Sequence, residues 1–204
     1  MPARMTISAE IKTVRKELIL EHAERLFYER GYRGTSMEAV AEALLVTKPV
    51  LYAVYDRKLD ILIDISLRAL NRSIDALQQA HQAGGTRSDQ LRLFAHRFTD
   101  AVIRHQAGSA VFFREEAFIP PEATREINQL KGRFDAELAA LIAAGVAAGE
   151  FKVDDVRSAS LAIGGMISWI YVWYRQDGRL TPEAIGDRMA TYTLRLVGVP
   201  AGSA

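Results

Sequence analysis

The sequence predicts an all-α fold. Apolar residues recur at spacings of three and four along nearly all of the 204 residues, and no stretch alternates strictly as a half-buried strand does. Capping residues precede several of these runs and glycines follow them, as at the starts and ends of helices. Cysteine is absent and 49% of the residues are hydrophobic, so we expect a large core without disulfides or thiolate metal sites.

The first two helices have clear boundaries. Apolar residues from Ile11 to Phe27 predict a helix that ends at Arg30, where Gly31 supplies a left-handed stop. Ser36 is expected to cap a second, short helix that ends near Leu45.

A third short helix and a long fourth helix follow. Pro49 suits the first turn of the third helix, which is expected to reach about Tyr55. Asp56 is expected to cap the fourth helix, and the run Gly84-Gly85-Thr86 ends it.

Five more helices account for the rest of the chain. The eighth is expected to begin at Asp154 and Asp155 and to continue through both tryptophans toward Asp177. Three consecutive start signals, Thr181, Pro182 and Glu183, begin the ninth. The fifth to seventh are predicted over 91–102, from 108 to before 120, and over 123–148.

Charge and hydropathy exclude several classes of protein. A net charge of +1 gives no overall attraction to an acidic partner. The N-terminal residues contain no continuous apolar run, and the longest apolar stretch, 159–174, is shorter than the roughly 20 residues that a bilayer span needs. We therefore expect a cytoplasmic protein with no membrane partner.

Residues 35–58 predict a helix-turn-helix, with the third helix placed to enter the major groove of DNA. Thr47, Lys48 and Val50 are candidate contacts to bases, while Tyr52, Tyr55 and Lys58 are candidate contacts to phosphates. The start of the second helix, with the hydroxyls of Thr35 and Ser36, is a further candidate phosphate site. The alternative is a two-helix hairpin whose tyrosines pack in a helical core.

Residues 15–62 resemble the DNA-binding domain of the TetR/AcrR family of one-component transcriptional repressors. The resemblance rests on the run 19–35 and on Val46, Thr47, Lys48, Leu51, Tyr52, Tyr55, Lys58 and Leu62. It implies a nine-helix TetR-like architecture, with a DNA-binding domain at 1–60 and a helical ligand-binding and dimerisation domain at 61–204. It also implies the following DNA contacts: Thr35, Ser36, Thr47, Lys48, Pro49, Val50, Tyr52, Tyr55 and Lys58.

Two residues depart from the family pattern. Pro49 stands where most members have glycine or another small residue, and Val54 stands where histidine is frequent. The operator sequence therefore does not transfer from the family.

Aromatic residues are concentrated after the first quarter of the chain, where they either line a cavity or fill the core. Residues 112–180 resemble TetR regulators of fatty-acid and steroid-ring breakdown, which sense acyl-CoA thioesters. The resemblance implies that Trp169 and Trp173 contact the acyl part and that Arg114 and Arg175 bind the CoA phosphates. The alternatives are another lipophilic or drug-like effector, or an Arg175 that interacts only with its own helix. The remaining candidate ligand contacts are Phe94, Phe98, Phe112 and Phe113.

The last two predicted helices are candidates for a homodimer interface. Gly164 and Gly165 each cost about 1 kcal/mol inside a helix, which suggests that another helix approaches closely there. In the family, the corresponding helices pair with those of a second subunit. The other candidate interface residues are Ile163, Ile167, Ile185, Met189, Tyr192 and Leu196.

No catalytic motif is present, so we expect neither an enzyme nor a cofactor. His96, His105, Glu115 and Glu116 offer the best combination of metal ligands, but isolated histidines on helices more often have other roles, and no metal is expected. The sequence thus favours a repressor that a lipophilic effector releases from a palindromic operator of double-stranded DNA. A helical interaction module without DNA binding is the alternative.

Overall fold

A computed structural model describes residues 2–200 of the chain, with side chains from residue 13 onward. Over this range the chain forms helices and no strand, which confirms the all-α prediction. Ile11, the first apolar residue of the predicted first helix, lies outside the described side chains. The α-helices are α1 (Pro2–Arg30), α2 (Met37–Ala43), α3 (Lys48–Tyr52), α4 (Lys58–Ala83), α5 (Arg87–Arg104), α6 (Gln106–Glu115), α7 (Arg125–Ala147), α8 (Val156–Ser168), α9 (Ile170–Trp173) and α10 (Pro182–Leu196). Two short 3-10 helices, Glu116–Phe118 and Pro121–Ala123, connect α6 to α7.

The helix caps follow the sequence signals with one exception. Ser36, Asp155 and Thr181 each accept a hydrogen bond from a backbone amide in the first turn of α2, α8 and α10. At the start of α4, however, the capping position belongs to Arg57 and carries no side-chain hydrogen bond, so the prediction that Asp56 caps this helix is wrong.

The predicted eighth helix is interrupted. Helix α8 ends at Ser168, and the short helix α9 begins at Ile170 and ends at Trp173. Trp169 lies between them and keeps right-handed helical backbone angles, so the chain is interrupted without a sharp turn. This break is the reason that the described chain has one more α-helix than the nine predicted. Gln106 then fixes α9 against α6, because its amide nitrogen donates to the carbonyl oxygens of Tyr171 and Tyr174 at 2.9 and 3.0 Å.

Two hydrophobic clusters make up the interior. The first joins α1, α2, α3 and the first half of α4 to parts of α6 and α7, and Phe27, Leu51 and Ile61 are completely or almost completely buried in it. Val14 and Leu18 do not share this core, because α1 exposes them, in contrast to the predicted stripe.

The second cluster surrounds α5, which packs against α4, α7, α8 and α10. Because α4 contributes Leu70 to the first cluster and Leu77 to the second, it mechanically connects the two halves of the molecule. None of the helices within residues 2–200 is long and apolar enough to cross a lipid bilayer.

Candidate nucleic-acid interface and ligand cavity

The start of α3 presents a group of exposed side chains. Thr47 precedes the helix without a side-chain capping bond, and Pro49 occupies its first turn. Leu51 is buried on the opposite side and anchors the helix on the first hydrophobic cluster. The structure therefore brings five of the predicted DNA contacts to one exposed segment, at Thr47, Lys48, Pro49, Val50 and Tyr52.

The start of α2 is already occupied by polar groups of the chain itself. The Ser36 hydroxyl accepts a hydrogen bond of 3.1 Å from the Ala39 amide. The carboxylate of Glu38 accepts hydrogen bonds from its own backbone amide, from Lys48 and from Ser36. These bonds hold the pKa of Glu38 below its usual range, and the bond from its own amide has the largest effect. A carboxylate therefore stands where the sequence predicted a site for phosphate.

Thr35 and Tyr55 have internal roles, which corrects the prediction that their hydroxyls contact DNA. Thr35 is buried and donates to the carbonyl oxygens of Leu26 and Gly31, so it ties the loop to the end of α1. Tyr55 is also buried and donates a hydrogen bond of 2.7 Å to Asp64 in α4. Burial and the Asp64 carboxylate raise the pKa of this phenol, which keeps it protonated as a donor.

Lys58 likewise holds the loop between α1 and α2. Its ammonium donates to the carbonyl oxygens of Tyr32 and Thr35, both at 2.6 Å, and lies 4.3 Å from the centre of the Tyr32 ring. Burial lowers the pKa of Lys58, since part of its hydration is lost. The sequence indicated a phosphate contact, whereas the structure gives this side chain two backbone partners.

Leu45 is the unexpected residue of the helix-turn-helix. It lies in the turn between α2 and α3 with φ +57°, which is the left-handed region that favours glycine and asparagine. Its side chain is 93% exposed, so no packing compensates the strain. No sequence signal indicated this conformation, because leucine rarely adopts it.

A cavity of about 320 Å³ lies between α4, α5, α6, α7 and α8. Its apolar walls include Leu70 from α4, Phe98 and Val102 from α5, and Phe112 and Phe113 from α6. Its polar groups are Lys131 and Asp135 and four serines, Ser73, Ser109, Ser160 and Ser168. The mixture suits a ligand with a hydrophobic body and a polar end.

The eight predicted ligand contacts do not form one site. Phe98, Phe112 and Phe113 line the cavity, while Phe94 lies behind them in the core and stacks on Phe98. The predicted tryptophans and arginines lie outside it. Arg114 faces the Tyr28 ring, Trp169 packs edge-on against Tyr171, Trp173 lines a separate pocket, and Arg175 forms a two-pronged ion pair with Asp177.

Lys131 is one of the polar residues of the cavity that sequence reasoning missed. Its ammonium bonds the Glu116 carboxylate and lies 5.3 Å from the centre of the Phe112 ring. Lys131 and Asp135 are four residues apart on α7, so both point to one side of that helix. The spacing was visible in the sequence, but such a pair usually belongs to a solvent-facing surface.

A buried charge cluster connects α1 to α4 next to this cavity. Glu24 is buried, and its Oε1 lies 3.7 Å from Nη1 of Arg68 and 3.8 Å from Nη1 of Arg72. Burial raises the pKa of Glu24, and the two arginines act in the opposite direction. Burial beside the same arginines lowers the pKa of His105 to about 4, so this imidazole is neutral at pH 7.

The candidate interface residues divide into two groups. Ile163, Ile167, Ile185 and Met189 are buried in the second hydrophobic cluster of their own chain, and Gly164 faces the cavity, so these five cannot face a partner. Tyr192 and Leu196 are exposed, and Gly165 is exposed at the edge of the cavity that it helps to line. Two further large apolar side chains, which were not among the candidate interface residues, are exposed: Trp169, between α8 and α9 and 58% exposed, and Val172 in α9. Leu161 of α8 is also exposed, but it lines the cavity.

The candidate metal ligands are dispersed. Nε2 of His96 lies 3.4 Å from Oδ1 of Asp187, while His105 is half-buried beside arginines. Among the residues that the structure describes, no three His, Asp or Glu side chains are arranged to hold a metal ion.

Comparison with known proteins identifies both halves of the chain. Residues 19–65 match the family model described as bacterial regulatory proteins, tetR family, and residues 84–197 match the one described as tetracyclin repressor-like, C-terminal domain. The chain is 26% identical to the HTH-type transcriptional regulator YhgD of Bacillus subtilis over 89% of this chain and 95% of YhgD. It is 24% identical to the HTH-type transcriptional repressor KstR2 of Rhodococcus jostii over 90% of this chain and 91% of KstR2.

A third relative is longer. The chain is 24% identical to the HTH-type transcriptional activator FasR of Mycolicibacterium smegmatis over 56% of this chain, and the match spans 52% of FasR.

Solved structures give the same result. The regulator PfmR from Thermus thermophilus is 30% identical with a TM-score of 0.80, over 87% of this chain and 97% of PfmR. AibR, solved in complex with isovaleryl coenzyme A and operator DNA, is 28% identical with a TM-score of 0.77 over the same shares.

Proposed function

Because the chain belongs to the tetR family of bacterial regulatory proteins, and is a transcriptional regulator rather than an enzyme, we propose that it is a ligand-released repressor. In this proposal a homodimer binds a palindromic operator in the cytoplasm. Residues 1–60 bind the DNA, and residues 61–204 bind the effector and form the dimer.

The DNA contacts are assigned to the exposed start of α3. Lys48 donates to guanine acceptors, Thr47 and Val50 contact base edges, and the phenol of Tyr52 contacts a phosphate. Ser36 is not assigned as a phosphate contact, because its hydroxyl caps α2 and bonds the Glu38 carboxylate. Thr35, Tyr55 and Lys58 act indirectly, since they fix the loop and α3 on α1 and α4 through the hydrogen bonds described above.

The dimer is assigned to the exposed apolar side chains of α8, α9 and α10. Trp169, Val172 and Leu196 are large apolar side chains that are about half exposed, and a second chain seated on these helices would bury them. A two-fold dimer then places two copies of α3 about 34 Å apart, the distance of one turn of DNA.

The effector is assigned to the cavity between α4 and α8. Its 320 Å³ hold about ten groups the size of a water molecule, at roughly 30 Å³ each. This volume suits a short or branched acyl group and leaves coenzyme A outside. Isovaleryl coenzyme A, bound to the relative AibR, is a compound of this kind. We therefore propose a short-chain acyl-CoA thioester as the effector, with Lys131 near its polar end.

Two helices that line the cavity, α4 and α6, transmit the effect of ligand binding to the DNA-binding domain. Helix α6 contributes Ser109 and Phe113 to the cavity and touches Glu24 of α1 through Gly108, whose missing side chain permits the contact. Helix α4 contributes Leu70 and begins at Lys58, which holds the loop before α2. An effector that binds better when these helices shift therefore lowers the affinity for the operator by its differential binding energy.

The proposal is tested by measuring the release of a labelled operator fragment with a panel of acyl-CoA thioesters of increasing chain length. Ser109→Phe, which fills part of the cavity, is expected to keep DNA binding and to require at least tenfold more thioester. Ala136→Phe, which adds the same aromatic ring at an exposed position of α7 that does not line the cavity, serves as the control and is expected to respond like the wild type. If hydrophobic compounds that are not thioesters release the operator and no thioester does, the acyl-CoA assignment is wrong.

A further inference from the structure

The helix-turn-helix segment is not positively charged. Residues 35–58 contain three cations and three carboxylates, so the segment carries no net charge. Affinity for DNA of arbitrary sequence comes from cations that replace counterions at phosphates. This segment is therefore poorly equipped for such binding.

Each of the three cations also has an internal partner. Lys48 forms an ion pair of 3.0 Å with Glu38, Arg57 forms one of 2.6 Å with Asp60, and Lys58 donates to two backbone carbonyls. Lys48 is the cation of α3 itself, so its partner has the most direct effect on contact with DNA.

Glu38 is fixed in the position from which it acts. It lies in the first turn of α2, where its own amide and Ser36 also hold the carboxylate, and it is exposed on the same side as Lys48. The carboxylate is ionised at neutral pH and repels a phosphate that approaches Lys48.

We infer that Glu38 is a specificity determinant, which holds Lys48 away from phosphates and thereby weakens binding to DNA that lacks the operator sequence. On non-operator DNA no base acceptor is held in register with α3, so Lys48 meets mainly phosphates, and these do not compensate the lost ion pair and the repulsion. An operator offers a base acceptor in the groove, which replaces Glu38 as the partner of Lys48. This inference rests on the proposed assignment of Lys48 as a base contact.

The test uses the full chain and two DNA fragments. One is a site that the wild type selects from randomised DNA, and the other is the same fragment with its sequence shuffled. Fluorescence anisotropy over a series of salt concentrations measures the affinity of wild type, Glu38→Gln, Lys48→Ala and the double variant. Glu42→Gln is the matched control, because Glu42 is exposed on the same short helix.

We expect Glu38→Gln to bind the shuffled fragment about fivefold more tightly and the selected site less than twofold more tightly. For the shuffled fragment, the slope of the logarithm of affinity against the logarithm of salt concentration becomes steeper by about one, because Lys48 is free to neutralise one more phosphate. Glu42→Gln behaves like the wild type, and Glu38→Gln has less effect when Lys48 is already alanine.

If the wild type prefers the selected site, the inference is overturned when Glu38→Gln binds both fragments more tightly by the same factor, or when it changes the affinity for neither. An undiminished effect in the Lys48→Ala background also overturns it, since Glu38 would then act on the DNA directly. A wild type that does not discriminate at all contradicts the proposed function itself.

Discussion

Gly108 in α6 lies directly against the buried carboxylate of Glu24 in α1. A β-carbon at position 108 would be 2.9 Å from the Glu24 carboxyl carbon and 3.0 Å from each of its oxygens. Arg68 and Arg72 stand close to the same carboxylate, so it has little room to withdraw.

Gly108→Ala is therefore expected to lower the free energy of unfolding by about 1–3 kcal/mol, because the methyl group overpacks a buried site. Urea denaturation measures the change. Gly132→Ala is the control, since no atom lies within 4 Å of its β-carbon position on α7, and it is expected to gain about 0.5–1 kcal/mol. Similar gains in both variants would show that α6 does not press on Glu24.

The turn at Leu45 gives a second prediction. Leu45→Gly is expected to raise the free energy of unfolding by about 0.5–1 kcal/mol, because the left-handed backbone costs glycine nothing and the exposed side chain packs on nothing. Leu45→Ala keeps the β-carbon and the strain, so its thermal midpoint should match that of the wild type. A loss of stability in the glycine variant would mean that the leucine side chain contributes a contact.

Substitutions of Lys58 and Lys48 are expected to have different effects, the first on stability and the second on DNA binding. Lys58→Met removes two charged hydrogen bonds to the backbone and is expected to cost about 1.5–3 kcal/mol of stability. Lys48→Met leaves stability unchanged, since its ion pair is exposed, yet weakens operator binding. Denaturation and gel retardation of both variants measure the two effects. An unstable Lys48→Met variant would contradict this division.

Glu150 predicts a pH dependence. Its carboxylate accepts hydrogen bonds from the amides of Ser88 and Arg87 at 2.8 and 3.0 Å, and chiefly the Ser88 bond holds its pKa below the usual 4.5. A lowered pKa in the folded state stabilises the protein above pH 4.5, and this contribution disappears as the pH falls below that value. The stability difference between wild type and Glu150→Gln should thus be largest at neutral pH and shrink in acid. A difference that is independent of pH would exclude this role of the charge.

Tyr52, which we propose as a DNA contact, is exposed and can be substituted without structural cost. Tyr52→Phe removes only the hydroxyl of a side chain that is 41% exposed. We expect weaker operator binding with unchanged dimerisation and effector affinity, as measured by anisotropy and sedimentation. Dissociation of the dimer in this variant would contradict the separation of the two domains.

Much of this molecule could be predicted from periodicity and capping. The caps at Ser36 and Thr181 are local hydrogen bonds between close neighbours in the chain, so the sequence alone indicates them. The roles of Tyr55 and Lys58 depend on partners in other elements, Asp64 and the loop carbonyls, which no local pattern encodes.

The cavity was harder to predict for the same reason. Lys131 approaches Phe112 and Glu116 only after α7 folds back on α6, and its spacing from Asp135 looks like an ordinary solvent-facing pair. Conversely, Trp169 and Trp173 looked like ligand contacts because of their size and spacing, whereas the interruption after Ser168 leaves both outside the cavity.

The symmetry of the DNA that the protein selects tests the central claim most directly. The purified full chain is used to enrich sequences from a pool of randomised duplexes, and the enriched sequences are read. A dimer that inserts two copies of α3 predicts a palindrome with half-sites one helical turn, about 10 base pairs, apart. A pool in which nothing is enriched, or in which the enriched site has no two-fold symmetry, would contradict the account.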